Sequence, residues 1–244
     1  MAAAAFTSVS TWSQPEPAAA SAERSTLIRL IAARIDRLSD RRLRVAVDGF
    51  TAAGKTSFGH ELAAALRRLG RPTLRASLDD FKNPWSEAHL YDRISGEGYY
   101  RNAHDFGAAR GLLLEPSGPT GDGQVALCSI DPLTQVRHGG TKVSAPANAI
   151  LVVDGVFAQR PEYDDCWDFR IWLDVSLEDS IARGIARDTA MEGRDEAEKL
   201  HRDRYGVAET IYIAEVGPIE RADLVIDNRD FAAPVVIRWG AITR

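Results

Sequence analysis

Apolar positions along this chain repeat with two periods that alternate from end to end. Leu27, Ile28, Ile31, Ile35 and Leu38 return at helical spacing between Arg24 and Asp40, with Ser25 as a candidate N-cap, so a packing helix is predicted ahead of the core. Leu43 to Asp48 is a short β-rich run that stops at Gly49. Lys55 to Leu69 has helical composition and is ended by Gly70 and Pro72. Thr73 to Leu78 predicts a second strand, which delivers Asp79-Asp80-Phe81 at its carboxyl end. Lys82 to Asn102 reads as a long polar and aromatic loop of the kind that carries function. Helical spacing resumes over Asp105 to Leu114, a Gly/Pro turn covers Pro116 to Gly123, and Gln124 to Val143 predicts a hairpin interrupted by Gly139-Gly140.

Ala149 to Asp154 is an almost unbroken apolar run, the pattern of a strand covered on both faces of a parallel sheet. Phe169 to Val175 predicts another strand and Leu177 to Asp188 a helix. After the charged stretch Glu192 to Arg204 comes a helix-like run around Thr210 to Glu215, then a last core strand at Leu224-Val225-Ile226. Strands alternating with helices indicate an α/β domain with a mainly parallel sheet flanked by helices. The expected organisation is a disordered tail over residues 1–23 followed by one domain over 24–244.

Charge narrows the function. The formal net charge is -5, so no general attraction to nucleic acid or an anionic membrane is expected, and any anion chemistry must be local. Two cysteines, Cys128 and Cys166, have no metal or redox spacing, which suits a cytoplasmic protein. The N-terminal stretch has no Arg before Arg24 and no long apolar run, which argues against a targeting segment or a membrane span. His60, His89, His104, His138 and His201 show no zinc-ligand spacing.

The strongest chemical signal is Gly49-Phe50-Thr51-Ala52-Ala53-Gly54-Lys55-Thr56, a phosphate-binding (Walker A) loop between a predicted strand and a predicted helix. Glycines let the backbone curl so that successive N–H groups point at an anion. Gly49, Thr51, Ala52, Ala53, Gly54, Lys55, Thr56 and Ser57 are the candidate nucleotide-binding residues, with Lys55 directed to the β/γ-phosphates and Thr56 to Mg²⁺. Asp154 either caps the turn with Gly155 or anchors Mg²⁺ and its water shell. Asp79 is a candidate general base toward an acceptor hydroxyl, against the plainer reading of a polar turn. Arg183, Arg187, Arg194, Arg202 and Arg204 gather late in the chain; Arg187 and Arg194 are the candidates for a closing lid over the migrating phosphate, the rest suiting a solvated face. Asp105-Phe106-Gly107 and His201-Arg202-Asp203 spell protein-kinase signatures in reversed order and are read as coincidence.

With the glycine loop, Ser77-Leu78-Asp79-Asp80-Phe81 and Val153-Asp154-Gly155 in hand, the sequence resembles the uridine kinase and phosphoribulokinase family from about Leu43 to Asn228. Gly98-Tyr99-Tyr100-Arg101, Ile130-Asp131 followed by Arg137, Arg183-x3-Arg187-Asp188, Glu192-Gly193-Arg194-Asp195, and Pro218 followed by Ala222-Asp223-Leu224-Val225-Ile226 extend the likeness. The resemblance implies a P-loop NTPase fold of the nucleoside-monophosphate-kinase kind, with a lid over roughly 189–206 and a small hairpin insertion. It also implies ATP and Mg²⁺ as cofactors and transfer of the γ-phosphate to a hydroxyl of a small acceptor such as uridine. On it, Asp79 is the catalytic base, Lys55, Arg187 and Arg194 act on the phosphate, and Tyr100, Arg101, Asp131 and Arg194 touch the acceptor. Three departures weaken the nucleoside part: Lys82 and Ile130 stand where the family carries tyrosines near the base, and Gln135 where it carries a histidine.

The expected partner is therefore a small-molecule acceptor, with no nucleic acid or membrane, and a homo-oligomer is compatible with the sequence. A kinase of pantothenate, a sugar phosphate or another alcohol, and a non-catalytic nucleotide-binding protein, are the alternatives. A GTP-dependent switch is disfavoured because no Asn-Lys-x-Asp motif is present.

Overall fold

The computed structural model describes residues 6–12, 20–87, 92 and 94–240. Its helices are Ala22–Asp36 (α1), Lys55–Arg68 (α2), Gly96–Asn102 (α3), Phe106–Ala108 (α4), Leu177–Glu192 (α5), Arg194–Lys199 (α6), Val207–Val216 (α7) and Pro218–Arg221 (α8). The strands are Leu43–Gly49 (β1), Thr73–Ser77 (β2), Gln124–Val125 (β3), Val143–Ser144 (β4), Ile150–Asp154 (β5), Phe169–Asp174 (β6), Leu224–Asp227 (β7) and Val235–Trp239 (β8).

Six strands form one sheet in the order β2-β5-β1-β6-β7-β8, parallel except where β8 returns antiparallel on β7. Every residue of β1 and β5 is buried, because helices cover both faces. Each aliphatic side chain so enclosed contributes roughly 1.5–3 kcal/mol of transfer free energy. One face packs Ile31, Ile35, Phe58, Leu62 and Leu66 of α1 and α2; the other packs Phe81, Leu113, Leu114 and Tyr163. A third cluster, centred on Trp172, Phe157, Tyr100 and Tyr212, joins α3 and α7 to the sheet beside the glycine loop.

Register places the functional ends together. Val47 and Ser77 both pair with Asp154, and Gly49 pairs with Leu173, so β1, β2, β5 and β6 finish at one edge. In open parallel sheets that carboxyl edge is where ligands bind.

Several boundaries differ from expectation. The first helix begins at Ala22 with Ser21 as its cap, accepting the Arg24 N–H at 3.0 Å; Ser25 is already inside, its N–H bonded to the Ser21 carbonyl. Gly96–Asn102, expected as loop, is a helix capped by Ser95. The hairpin holds only a two-residue ladder between β3 and β4 plus a bridge between Ile130 and Arg137. The edge strand β8 went unforeseen, since its residues are half exposed and lack a buried alternation. Phe6 to Trp12, expected to be disordered with the rest of residues 1–23, lies against the domain through Phe6 and Thr11. His89 falls outside the described residues.

The stretch expected as a lid, roughly 189–206, is helical on both sides of Gly193, where α5 ends, with α6 and a π-helical turn over Leu200–Gly206 leading into α7. Asp105 caps α4 by accepting the Ala108 N–H at 2.8 Å, and His201 lies 2.8 Å from Asp188, so both kinase-like tripeptides have local structural roles.

Candidate active site

The glycine loop curls between β1 and α2. Gly54 takes φ +91°, a left-handed conformation that L side chains rarely adopt, and an added Cβ would come within 2.9 Å of Asn228 Nδ2. That same Asn228 amide donates to the Ala53 carbonyl at 2.7 Å and is itself held by buried Arg24, which pairs with Glu61 at 2.7 Å. The loop is thus pinned from behind by α1, α2 and the end of β7. Ala52 also sits at positive φ (59°), which turns the loop backbone over the start of α2.

Lys55 is buried and donates to its own loop, at 2.7 Å from the Phe50 carbonyl. Burial pulls its pKa down, while the charges of Glu209, Asp48, Asp154 and Asp79 act in the opposite sense. Two of them were not anticipated. Asp48, the last residue before the loop, is fully buried and accepts from the Gly49 N–H (2.8 Å), the Gln159 amide (3.3 Å) and the Tyr212 hydroxyl. Glu209 on α7 accepts the Thr51 N–H, while Ser180 on α5 donates to the Thr51 carbonyl. A carboxylate therefore rests on a phosphate-loop amide, the type of contact an incoming anion makes.

Asp48 makes a pH prediction. Burial raises its pKa from 3.8 to about 6, with the Tyr212 hydrogen bond the largest opposing influence. Between about pH 4 and 6 the folded chain keeps a proton that the unfolded chain has released, so this group's contribution to stability falls as pH rises. His104, whose pKa burial lowers to about 3, acts in the opposite direction over part of that range, so the native curve alone does not isolate Asp48. Relative to the native chain, Asp48→Asn is expected to gain up to roughly 3 kcal/mol on going from pH 4 to 7. Urea unfolding of both proteins checks this; a stability difference independent of pH would contradict it.

At the neighbouring strand end, the Thr56 hydroxyl donates to Asp154 Oδ2 at 2.5 Å, and Arg75 pairs with Oδ1 at 2.6 Å. Among the described residues no three His, Cys, Asp or Glu side chains gather to hold a metal by themselves. A hydroxyl and a carboxylate held side by side beside a phosphate loop nonetheless suit Mg²⁺, which keeps waters and phosphate oxygens as most of its ligands.

Opposite the loop, the 3₁₀ turn Leu78–Phe81 presents Asp79 at the end of β2. Gly155 makes this approach possible, since a Cβ there would stand 2.6 Å from that of Leu78. Asp79 pairs with Lys82 at 2.9 Å. Burial alone would raise its pKa, but Lys82 outweighs that and holds it at about 2, with His104 and Lys55 adding to the effect. Asp79 is thus ionised at neutral pH. Lys82 also lies near the Tyr99 and Tyr205 hydroxyls. Asp80 and His104 are buried, and Asp80 Oδ1 and His104 Nε2 have no hydrogen-bond partner within the chain. The Ser129 and Ile130 N–H groups donate to the Asp80 carbonyl at 2.9 and 3.1 Å, which fastens the Asp131 turn beside Asp79. Asp131 is buried and accepts from Leu133, Thr134 and Thr11.

Gly49 to Ser57, Asp79, Asp131 and Asp154 therefore gather at one edge. Other candidates stand apart. The Tyr100 ring is buried between Phe157 and Tyr212 with Arg160 over it at 4.2 Å, and Arg101 pairs with Glu215 at 2.5 Å. It is Tyr99, its ring 5.0 Å from Tyr205, that turns toward Lys82 and Asp79. Arg187 is half exposed, pairs with Asp188 at 2.6 Å and stays within electrostatic reach of Asp79; Arg194 is exposed at the start of α6. The only sequence cue for Asp48 is its place before Gly49. Glu209, Ser180 and Arg75 carry no spacing that marks them.

No protein-family model matches the chain, and no curated protein sequence matches it. Solved structures do. A possible uridine kinase from Bacillus stearothermophilus superposes with a TM-score of 0.63 at 22% identity, over 81% of this chain and 96% of that one. A candidate fructose transport system kinase from Silicibacter sp. TM1040 gives a TM-score of 0.59 at 22% identity, over 79% and 95%. The six-stranded, mostly parallel sheet with helices on both faces and a glycine loop at its carboxyl edge is the fold of the P-loop kinases.

Proposed function

We propose that the chain is an ATP-dependent kinase that moves the γ-phosphate of Mg²⁺-ATP to a hydroxyl of a small acceptor. The observation that carries this reading is the convergence of Lys55, the Thr56–Asp154 pair and an ionised Asp79 on one edge of the sheet. Bound Mg²⁺-ATP supplies the transferable phosphoryl group and neutralises part of its charge. The amides of Ala52 to Thr56 and the start of α2 bind the polyphosphate, and Lys55 exchanges the Phe50 carbonyl for phosphate oxygens. Thr56 and Asp154 hold the metal and its waters. Asp79 accepts the hydrogen bond of the acceptor hydroxyl and orients its oxygen for in-line attack. Arg187 and Arg194, carried by α5 and α6, bring positive charge and exclude water as the helices close.

A nucleoside such as uridine is the acceptor that the resemblance favours. A non-nucleoside alcohol is the second reading, and Lys82 supports it: an ammonium paired with Asp79 occupies the place of a ring that would stack on a base. Incubation of the purified chain with Mg²⁺-ATP and separate panels of nucleosides and of sugars and other alcohols distinguishes them. Phosphorylation of a nucleoside supports the first; turnover confined to the other panel rejects it; no turnover of any alcohol rejects the kinase reading.

A further inference from the structure

Phe6 to Trp12 has no regular secondary structure, yet its contacts are specific. Phe6 packs half-buried against the core cluster that holds Leu113 and Trp167. The N–H and the hydroxyl of Thr11 both donate to Asp131 Oδ2, at 2.6 and 2.7 Å. The other oxygen, Oδ1, takes the N–H groups of Leu133 and Thr134 at 2.8 and 2.9 Å. Four donors fill this carboxylate. One residue earlier, Ser10 lies beside the buried Asp80, whose Oδ1 has no hydrogen-bond partner within the chain.

Asp80 belongs to the turn that presents Asp79, and the Asp131 loop is fastened to the Asp80 carbonyl. Hydroxyl groups on carboxylates are also how a polyhydroxylated small molecule is held. Thr11 itself is exposed, and within the segment the Ser10 and Trp12 N–H groups bond only to neighbouring serine hydroxyls, at 3.2 Å each. Little beyond Phe6 and the Thr11 contacts to Asp131 ties this stretch down.

We propose that Phe6 to Trp12 is an internal competitor for the acceptor, with the Thr11 hydroxyl standing on Asp131 in place of an acceptor hydroxyl. The strap must lift before the acceptor engages Asp131. The proposal rests on the reading of Asp131 as an acceptor-binding residue. Apparent acceptor affinity is then reduced by the fraction of molecules in which the strap is down.

The test uses the full chain with Thr11→Ala, which removes one donor, and Thr11→Pro, which removes both. Steady-state kinetics are run with Mg²⁺-ATP and whichever alcohol of the two panels the native chain or a variant phosphorylates. Acceptor KM is expected to fall about threefold in the first variant and about tenfold in the second, with kcat and the KM for ATP unchanged. A synthetic peptide spanning Phe6 to Trp12 should inhibit the Thr11→Pro chain competitively with the acceptor. An acceptor KM that is unchanged or raised in both variants, beside normal turnover, overturns the strap alone. Turnover of no alcohol by any of the three chains overturns the kinase reading and the strap with it.

Discussion

Lys55→Ala is expected to lower kcat by about 10²–10³-fold, the usual loss when one preorganised donor to a developing anion is removed. The size of the effect follows from where the ammonium sits. It is buried, so its charge acts in a medium of low polarity and interacts strongly with any phosphate brought to the loop. It also feels the charges of Glu209, Asp48, Asp154 and Asp79. Its removal takes away the cation that acts on Asp48 and Glu209, so weaker binding of Mg²⁺-ATP should accompany the loss of turnover. Circular dichroism and urea unfolding of the variant separate this from loss of fold. A variant that folds and retains native kcat would contradict the role assigned to Lys55.

Asp79→Asn should lower kcat by about 10²–10⁴-fold while nucleotide affinity stays near native. The substitution preserves shape but removes the charge that accepts the acceptor's proton. Asp79 lies on the turn after β2 and its ion pair is with Lys82, Lys55 of the glycine loop acting on it more weakly, so nucleotide affinity should change far less than kcat. The ion pair also fixes the sign of the pH dependence. With its pKa held at about 2, chiefly by Lys82 against the effect of burial, Asp79 stays ionised down to about pH 3. An acidic limb of kcat/KM near neutral pH would therefore belong to another group. Measurement of kcat/KM against pH in the native chain, and of nucleotide binding in the Asn variant, checks both statements. Loss of nucleotide affinity equal to the loss of kcat would assign Asp79 to the nucleotide side.

Much of this arrangement is legible in the residues, and the reason is local physics. The glycine loop is read because phosphate binding imposes glycines at fixed offsets between a strand and a helix. Asp154 and Asp79 are read because each follows a short apolar run, and the carboxyl ends of parallel strands are where ligands bind. Tyr99 and Tyr100 show the limit. They are adjacent on one short helix and both join the core cluster, and which ring lies against Tyr205 and which under Arg160 depends on how α3 meets α7, a packing decision that no local spacing records. Glu209 is similar, being one acid among many on a charged segment until α7 brings it to the Thr51 N–H. Ser10 and Thr11 belong to a stretch whose composition suits disorder, and the buried Asp131, with the core under Phe6, gives it a place to rest.

The central claim is that the loop from Gly49 to Thr56, with Lys55, binds the polyphosphate of a nucleotide. Isothermal titration of a nonhydrolysable ATP analogue into the native chain tests it most directly, with and without Mg²⁺ and again with Lys55→Ala. Saturable binding that strengthens with Mg²⁺ and weakens at least tenfold in the variant is the expected result. Absence of Mg²⁺-dependent binding to the native chain, or equal binding by a folded Lys55→Ala protein, would contradict it.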